Sequence, residues 1–76
     1  MRYAIVIEKA ERNYAAYAPD VPGCVATGAS LEEVRAQMRE ALQFHFEVMA
    51  EDHEPMPVPT SLVDYVDVDV PVAAEV

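Results

Sequence analysis

Cysteine and tryptophan are nearly absent from this sequence of 76 residues, which holds one Cys and no Trp. Cys24 has no second thiol, so an internal disulfide is excluded. With two histidines the chain also cannot complete a structural zinc site, which needs four ligands. A domain of this size buries roughly 60% of its unfolded surface, so its core is thin. We therefore expect a single small domain over residues 1–76 that gains stability by forming a homo-oligomer.

Basic residues are also scarce, and the last of them is Arg39. Five Lys and Arg residues stand against 14 Asp and Glu residues, which gives a net charge of −9. Residues 40–76 contain nine of the acids and no Lys or Arg. A field of this sign repels phosphates and steers basic proteins towards the chain. We expect no direct binding of nucleic acid.

Long apolar runs are missing as well. No stretch approaches the roughly 20 residues of a membrane span, and the N-terminus leads into a strand pattern without a cleavable signal region. We therefore expect a cytoplasmic protein with no membrane partner.

Three short segments are rich in β-branched, aromatic and small apolar residues. Residues 2–8 stop at the charged segment 9–13, residues 14–18 stop at a turn over 19–23, and residues 24–28 follow that turn. In the turn, Pro19, Pro22 and Gly23 forbid ladder pairing, and the carboxylate of Asp20 can cap backbone donors of the turn itself. Connections this short predict an antiparallel meander.

A helix is predicted after the third strand. Ser30 and Glu33 form a capping box, in which the Ser30 hydroxyl accepts the Glu33 N–H and the Glu33 side chain reaches back to Ser30. The helix should run to about Ala50, because prolines follow at 55, 57 and 59. Its apolar stripe is Leu31, Val34, Met38, Ala41, Leu42, His45, Val48 and Met49, with Phe44 and Phe46 beside it.

Residues 62–70 alternate between apolar and acidic side chains, as a strand with one acidic face does. A right-handed crossover would place this fourth strand parallel to the first, in the order 3-2-1-4, and residues 71–76 should fray. The predicted fold is α+β, with the order strand-strand-strand-helix-strand. One helix covers one face of a sheet whose first strand is apolar on both sides, so a second copy or another protein should cover the other face.

Catalytic candidates are few. Cys24 could pair with His45 or His53 as thiol and imidazole, but a small residue at a strand start after a proline turn is typical of a core. His45 lies in the apolar stripe, which favours a core or interface histidine over a general base. We predict no catalytic residue and no enzyme.

Two acidic groups resemble metal ligands. Asp52, His53 and Glu54 are adjacent at a helix end, where neighbouring side chains rarely converge on one centre. Asp67 and Asp69 share one face of a strand and could hold a cation, yet acids on an edge strand also prevent sheets from stacking, and this explains them better. We predict no metal site and no cofactor.

Several segments in one order resemble the HicB-like antitoxin family over roughly residues 3–70. They are residues 17–24 (YAPDVPGC), Gly28, residues 30–33 (SLEE), residues 40–42 (EAL) and residues 51–59 (EDHEPMPVP). The resemblance implies a partial ribonuclease-H-like fold. It also implies neutralisation, by direct binding, of a HicA toxin, which is a small basic ribonuclease that cleaves messenger RNA with a histidine. Many members carry a C-terminal DNA-binding segment, and this chain ends soon after its predicted fourth strand.

We expect exposed acids to contact such a basic partner. The candidates are Glu51, Asp52, Glu54, Asp67 and Asp69, and the turn residues Pro19, Asp20, Pro22 and Gly23 are either structural or part of the contact. Two other functions stay open. One is a self-assembling structural or regulatory protein without a toxin, and the other is a metal-dependent nuclease, for which the first strand offers only Glu8.

Overall fold

The computed structural model describes residues 1–72 and contains three strands followed by one helix. The strands are β1 (Val6–Lys9), β2 (Tyr14–Tyr17) and β3 (Val25–Gly28), and the helix is α1 (Leu31–Glu51). They form an α+β arrangement with one antiparallel sheet in the order β1-β2-β3. The predicted three-stranded meander is confirmed.

The strand register divides the side chains between two faces of the sheet. Ile7, Ala16 and Ala26 are directly opposite one another and face the helix, because strand residues alternate and these belong to the core. The next row lies on the other face and consists of Val6, Tyr17 and Val25.

The connection between β2 and β3 consists of two overlapping tight turns. The N–H of Val21 donates to the carbonyl of Ala18 at 3.1 Å, and the N–H of Cys24 donates to the carbonyl of Val21 at 3.2 Å. Gly23 has a φ of 84°, as the third residue of a type II turn requires, and a proline precedes it. The predicted turn over residues 19–23 is therefore confirmed.

The start of α1 follows the predicted capping box with one difference. The Glu33 N–H donates to the Ser30 hydroxyl at 3.0 Å, as expected. The Glu33 carboxylate accepts from the N–H of Ala29, whereas the prediction was the N–H of Ser30. Both bonds satisfy donors at the helix entrance, and the negative side chains favour this end of the helix.

The end of α1 is a Schellman motif. The N–H of His53 donates to the carbonyl of Ala50 at 3.1 Å, and that of Glu54 donates to Met49 at 2.9 Å. His53 takes the left-handed conformation that the motif needs, with a φ of 57°.

The core lies between α1 and the two strands β2 and β3, on which the helix packs. Val34 and Met38 are the fully buried helix residues, and Tyr3 packs against Phe46 with 5.0 Å between ring centroids and the ring planes tilted by 43°. The helix has 21 residues and is about 31 Å long, whereas each four-residue strand spans about 13 Å. Its C-terminal end therefore extends beyond the sheet. Of the predicted stripe, Val48 near this end and Leu31 at the start of the helix are exposed. The buried residues are Ala16, Ala18, Val21, Cys24, Val34 and Met38.

The predicted fourth strand is wrong for the single chain. Residues 62–70 lie outside the sheet, and Leu62 is 95% exposed. Alternating residues give a segment two faces, but a strand forms only where a neighbouring edge completes its backbone hydrogen bonds. The order 3-2-1-4 and the ribonuclease-H-like arrangement both need that strand, and residues 1–72 do not form them.

Two further expectations concern the ends of the chain and the membrane. Of the tail predicted over 71–76, residues 73–76 lie outside the described residues. The helix within residues 1–72 lacks the combination of length and apolar character that crossing a membrane requires.

Candidate functional site

Asp20 joins the β2–β3 turn to the segment that follows the helix. Its Oδ2 accepts the backbone N–H groups of Thr60 and Ser61 at 3.0 and 2.9 Å. Its Oδ1 accepts the Ser61 hydroxyl at 2.8 Å and the Thr60 hydroxyl at 3.3 Å. The bonds from Ser61 and Thr60 lower the pKa of the Asp20 carboxyl below its ordinary value, because they favour the charged form.

This contact corrects the sequence-based interpretation of Asp20. The prediction was that the carboxylate caps donors of its own turn, whereas its donors lie 40 and 41 residues further along the chain. Adjacent Thr and Ser residues that follow a proline are the only local signal, since nothing in the sequence spacing connects them to the turn.

The linker over residues 55–61 is fixed at a second point. The Tyr3 hydroxyl donates to the Pro57 carbonyl at 2.6 Å. Because Val6 of β1 is paired with Tyr17 of β2, Tyr3 and the turn lie towards the same end of the sheet. The segment that follows, residues 62–72, which we name the arm, therefore starts from a fixed position at that end.

The sheet face away from the helix is uncovered in the single chain, and we name it the open face. Its central row is Val6, Tyr17 and Val25, of which Tyr17 is 42% and Val25 66% exposed. A shallow depression of about 430 Å³ lies on this side, where Glu8, Ala15 and Thr27 flank the row. An apolar centre with a polar rim is the common composition of a protein interface.

A second concave surface lies between α1 and the segment that leads into β1. It is a groove of about 620 Å³ whose floor includes Ile5, Met38 and Leu42. Arg2, Arg35 and Arg39 also line it, and we name it the arginine groove. It exists because α1 packs over β2 and β3 and leaves the β1 side of the same sheet face without a covering element among residues 1–72.

The five acids predicted to bind a partner are all exposed, and they occupy two segments of the chain. Glu51 is the last helix residue, Asp52 is the C-cap, and Glu54 completes the Schellman motif. Asp67 and Asp69 lie on the arm.

The three catalytic candidates, Cys24, His45 and His53, lie in different surroundings. Cys24 is buried, and burial raises the pKa of its thiol, so the reactive thiolate is disfavoured. His45 is half-buried with its ring against Phe46. His53 is the left-handed residue of the Schellman motif at the end of the helix. Across residues 1–72, no three His, Cys, Asp or Glu side chains are placed so that they could hold a metal ion.

Comparisons with known proteins agree on one protein family. A family model described as the HicB_like antitoxin of bacterial toxin-antitoxin systems matches residues 3–70. An uncharacterized 14.9 kDa protein of Haemophilus phage HP1 is 40% identical over 67 residues, which are 88% of this chain and 50% of that protein. Antitoxin HicB 1 of Photorhabdus laumondii is 37% identical over 78 residues, covering 100% of this chain and 50% of that protein. The chain thus spans about half the length of these relatives.

A solved structure shares the fold. One chain of a HicA3 and HicB3 toxin-antitoxin complex superposes with a TM-score of 0.68 at 29% identity. The match covers 78% of this chain and 69% of that chain.

Proposed function

The chain belongs to the HicB-like antitoxin family, and from this premise we propose that it is an antitoxin that binds and neutralises a HicA toxin in the cytoplasm. The observation that carries the proposal is the shared fold with a chain of a HicA3 and HicB3 complex. The proposed role is non-enzymatic, because neutralisation needs a binding surface and no reacting group of its own.

The open face supports this proposal as the central contact surface. Tyr17 lies in the middle of an exposed apolar row, and tyrosine is one of the three residue types that are enriched among those dominating binding energy at an interface. We propose that the toxin covers this row.

The acids add long-range attraction for a basic toxin. Glu51, Asp52, Glu54, Asp67 and Asp69 are exposed, and the chain carries a net charge of −9. Charges at the rim of an interface act mainly by steering the encounter, while buried apolar contacts slow dissociation. We propose this division of roles between the acids and the open face.

The experiment is co-expression of the chain with a HicA toxin that arrests growth, followed by a binding measurement on the purified proteins. We expect growth to resume and the two proteins to co-purify. Tyr17→Ala should weaken binding by at least about tenfold, as truncation of a central interface tyrosine does. Phe44→Ala is the matched control, because Phe44 is an exposed aromatic residue on the helix, away from the open face.

Two results would contradict the proposal. If the unaltered chain neither relieves the arrest nor binds the toxin, the antitoxin function is wrong. If Tyr17→Ala and Phe44→Ala bind equally well, the function stands and the open face is not the contact surface.

A further inference from the structure

The arm is a segment with a strand pattern and no strand partner in its own chain. We propose that residues 62–70 add to the outer edge of β1 in a second copy, so that two chains exchange their arms reciprocally. This inference does not depend on the toxin. It places a second copy in the arginine groove, whereas the toxin is proposed to cover the open face.

The arm itself provides the first observation. Leu62, Val66, Val68 and Val70 would share one face of a strand, and all are more than 70% exposed in the single chain. Within the arm, the Tyr65 N–H donates to the carboxylate of the adjacent Asp64 at 2.7 Å, which is a local hydrogen bond. An exposed apolar face of this length marks an interaction site in a soluble protein.

The acceptor edge is the second observation. Within the described residues, β1 pairs with β2 on one side, and its other side carries free backbone donors and acceptors. Such an edge readily accepts a further strand, and native proteins cover it or protect it. Lys9 lies at the end of β1, and the apolar residues Ile5 to Ile7 precede it along this edge.

The arginine groove fits the arm in both apolar character and charge. In the register that we propose, a strand added beside β1 directs Val66, Val68 and Val70 to the same side as Ile5, towards the space that α1 leaves open. Asp64 shares that face of the arm, and arginines line the groove. The groove contributes Arg2, Ile5, Arg35, Met38, Arg39 and Leu42.

The position of the arm points to exchange between copies. Its root is held by the Asp20 bonds to Thr60 and Ser61, and from there it extends away from the domain. The radius of gyration is 15.9 Å with a longest extent of 55 Å. A compact domain of this length has a radius of gyration of about 11 Å. In a two-fold symmetric dimer of such chains, the arm of each chain can pair with the outer edge of β1 in the other chain.

Exchange has a consequence for toxin binding, and this step rests on the proposed function. With the apolar side of the arm in the groove, Asp67 and Asp69 point to the other side of the extended sheet, which is the open face. Each toxin-contact surface would then combine the apolar row of one chain with two acids of the other chain.

The test uses the full chain without toxin. Its mass is measured by light scattering at micromolar concentration, and a sample mixed from ¹³C-labelled and unlabelled chains is examined for contacts between chains by isotope-filtered NMR. We expect a mass of twice 8.4 kDa. We also expect methyl contacts between Val66 or Val68 of one chain and Ile5 or Leu42 of the other.

The double variant V66D/V68D should halve the measured mass, because it places two charges on the face that enters the groove. It alters exposed residues, so its domain should keep the far-ultraviolet circular dichroism of the unaltered chain. F44D is the matched control. It adds a charge at an exposed apolar position that does not line the groove, and it should leave the mass unchanged.

Three results would overturn the inference. The first is a mass of 8.4 kDa for the unaltered chain. The second is a dimer that V66D/V68D does not dissociate. The third is arm contacts that appear only within one chain, or only after a HicA toxin is added. Toxin binding is measured separately. A monomer that still binds the toxin would therefore reject arm exchange and leave the antitoxin function in place.

Discussion

Asp20 shows how one carboxylate connects parts of the chain that are 40 residues apart. The sequence predicts the turn around it correctly, because Pro19, Pro22 and Gly23 restrict the backbone locally. The donors to its carboxylate could not be predicted, since Thr60 and Ser61 reach it only through the path of the helix and linker. Local chemistry determines the turn, and tertiary structure determines what the turn binds.

The first prediction is that Asp20→Ala lowers the melting temperature by releasing the linker and the root of the arm. The pKa of this carboxyl is lowered in the folded state, so its contribution is present above the unfolded pKa of about 4 and is lost as the pH falls through the folded pKa. The difference in melting temperature between Asp20→Ala and the unaltered chain should therefore be largest near neutral pH and should shrink under acid conditions.

Thermal unfolding followed by circular dichroism at neutral and acidic pH measures this difference. Asp52→Ala provides a control, because Asp52 is also an exposed aspartate but takes part in the helix end through its backbone. An unchanged melting temperature for Asp20→Ala together with weaker toxin binding would show that the turn belongs to the binding surface, contrary to this prediction.

At the scale of elements, the ends of the helix could be predicted from the sequence, whereas the pairing of the arm could not. The helix was expected from Ser30 to about Ala50 and extends over Leu31–Glu51, because its cap and its apolar spacing are local signals. The arm has an equally clear alternation, but a strand also needs an edge to pair with. The outer edge of β1 is free within residues 1–72, but the arm does not pair with it in its own chain.

The contact between β3 and the start of α1 depends on a glycine, and the second prediction concerns this position. A Cβ atom on Gly28 would lie 2.5 Å from the backbone nitrogen of Val34 and 2.7 Å from its Cα. These are backbone atoms, so the helix itself would have to move. We expect Gly28→Ala to reduce the free energy of unfolding by about 1–3 kcal/mol, the usual cost of overpacking.

Urea denaturation measures this loss, and Thr27→Ala is the matched control on the same strand. Thr27 is exposed and lies on the opposite face of the sheet, so its truncation should change the stability by less than about 0.5 kcal/mol. Equal stability of Gly28→Ala and the unaltered chain would mean that the helix start can shift without cost.

At the scale of the whole molecule, the basic residues are confined to one part of the sequence. All five basic residues lie within residues 1–39, and three of them line the arginine groove. Composition alone indicated an acidic second half and a basic partner. It could not show that three arginines line a groove beside an unpaired strand edge, because that depends on how the helix crosses the sheet.

The last prediction concerns the acidic half as a source of steering for a basic toxin. Replacing Glu51, Asp52, Glu54, Asp67 and Asp69 by the corresponding amides should slow association with the toxin and change dissociation little, because exposed charges act mainly before contact. The association rate of the unaltered chain should fall as salt rises, since exposed charges are screened beyond about 8 Å at physiological ionic strength. Stopped-flow mixing at several salt concentrations measures both rates.

A second variant with the same total charge separates local steering from the effect of net charge. It carries amides at Glu11, Glu32 and Glu40 and the charge reversal Glu47→Lys, all at exposed acids that do not line the open face. If the predicted acids border the contact, their variant should associate more slowly than this control and should lose more of the salt dependence, because steering depends on charge near the binding surface. Equal association rates for the two variants would mean that net charge alone attracts the toxin, and the five predicted acids would then have no special place in the interface.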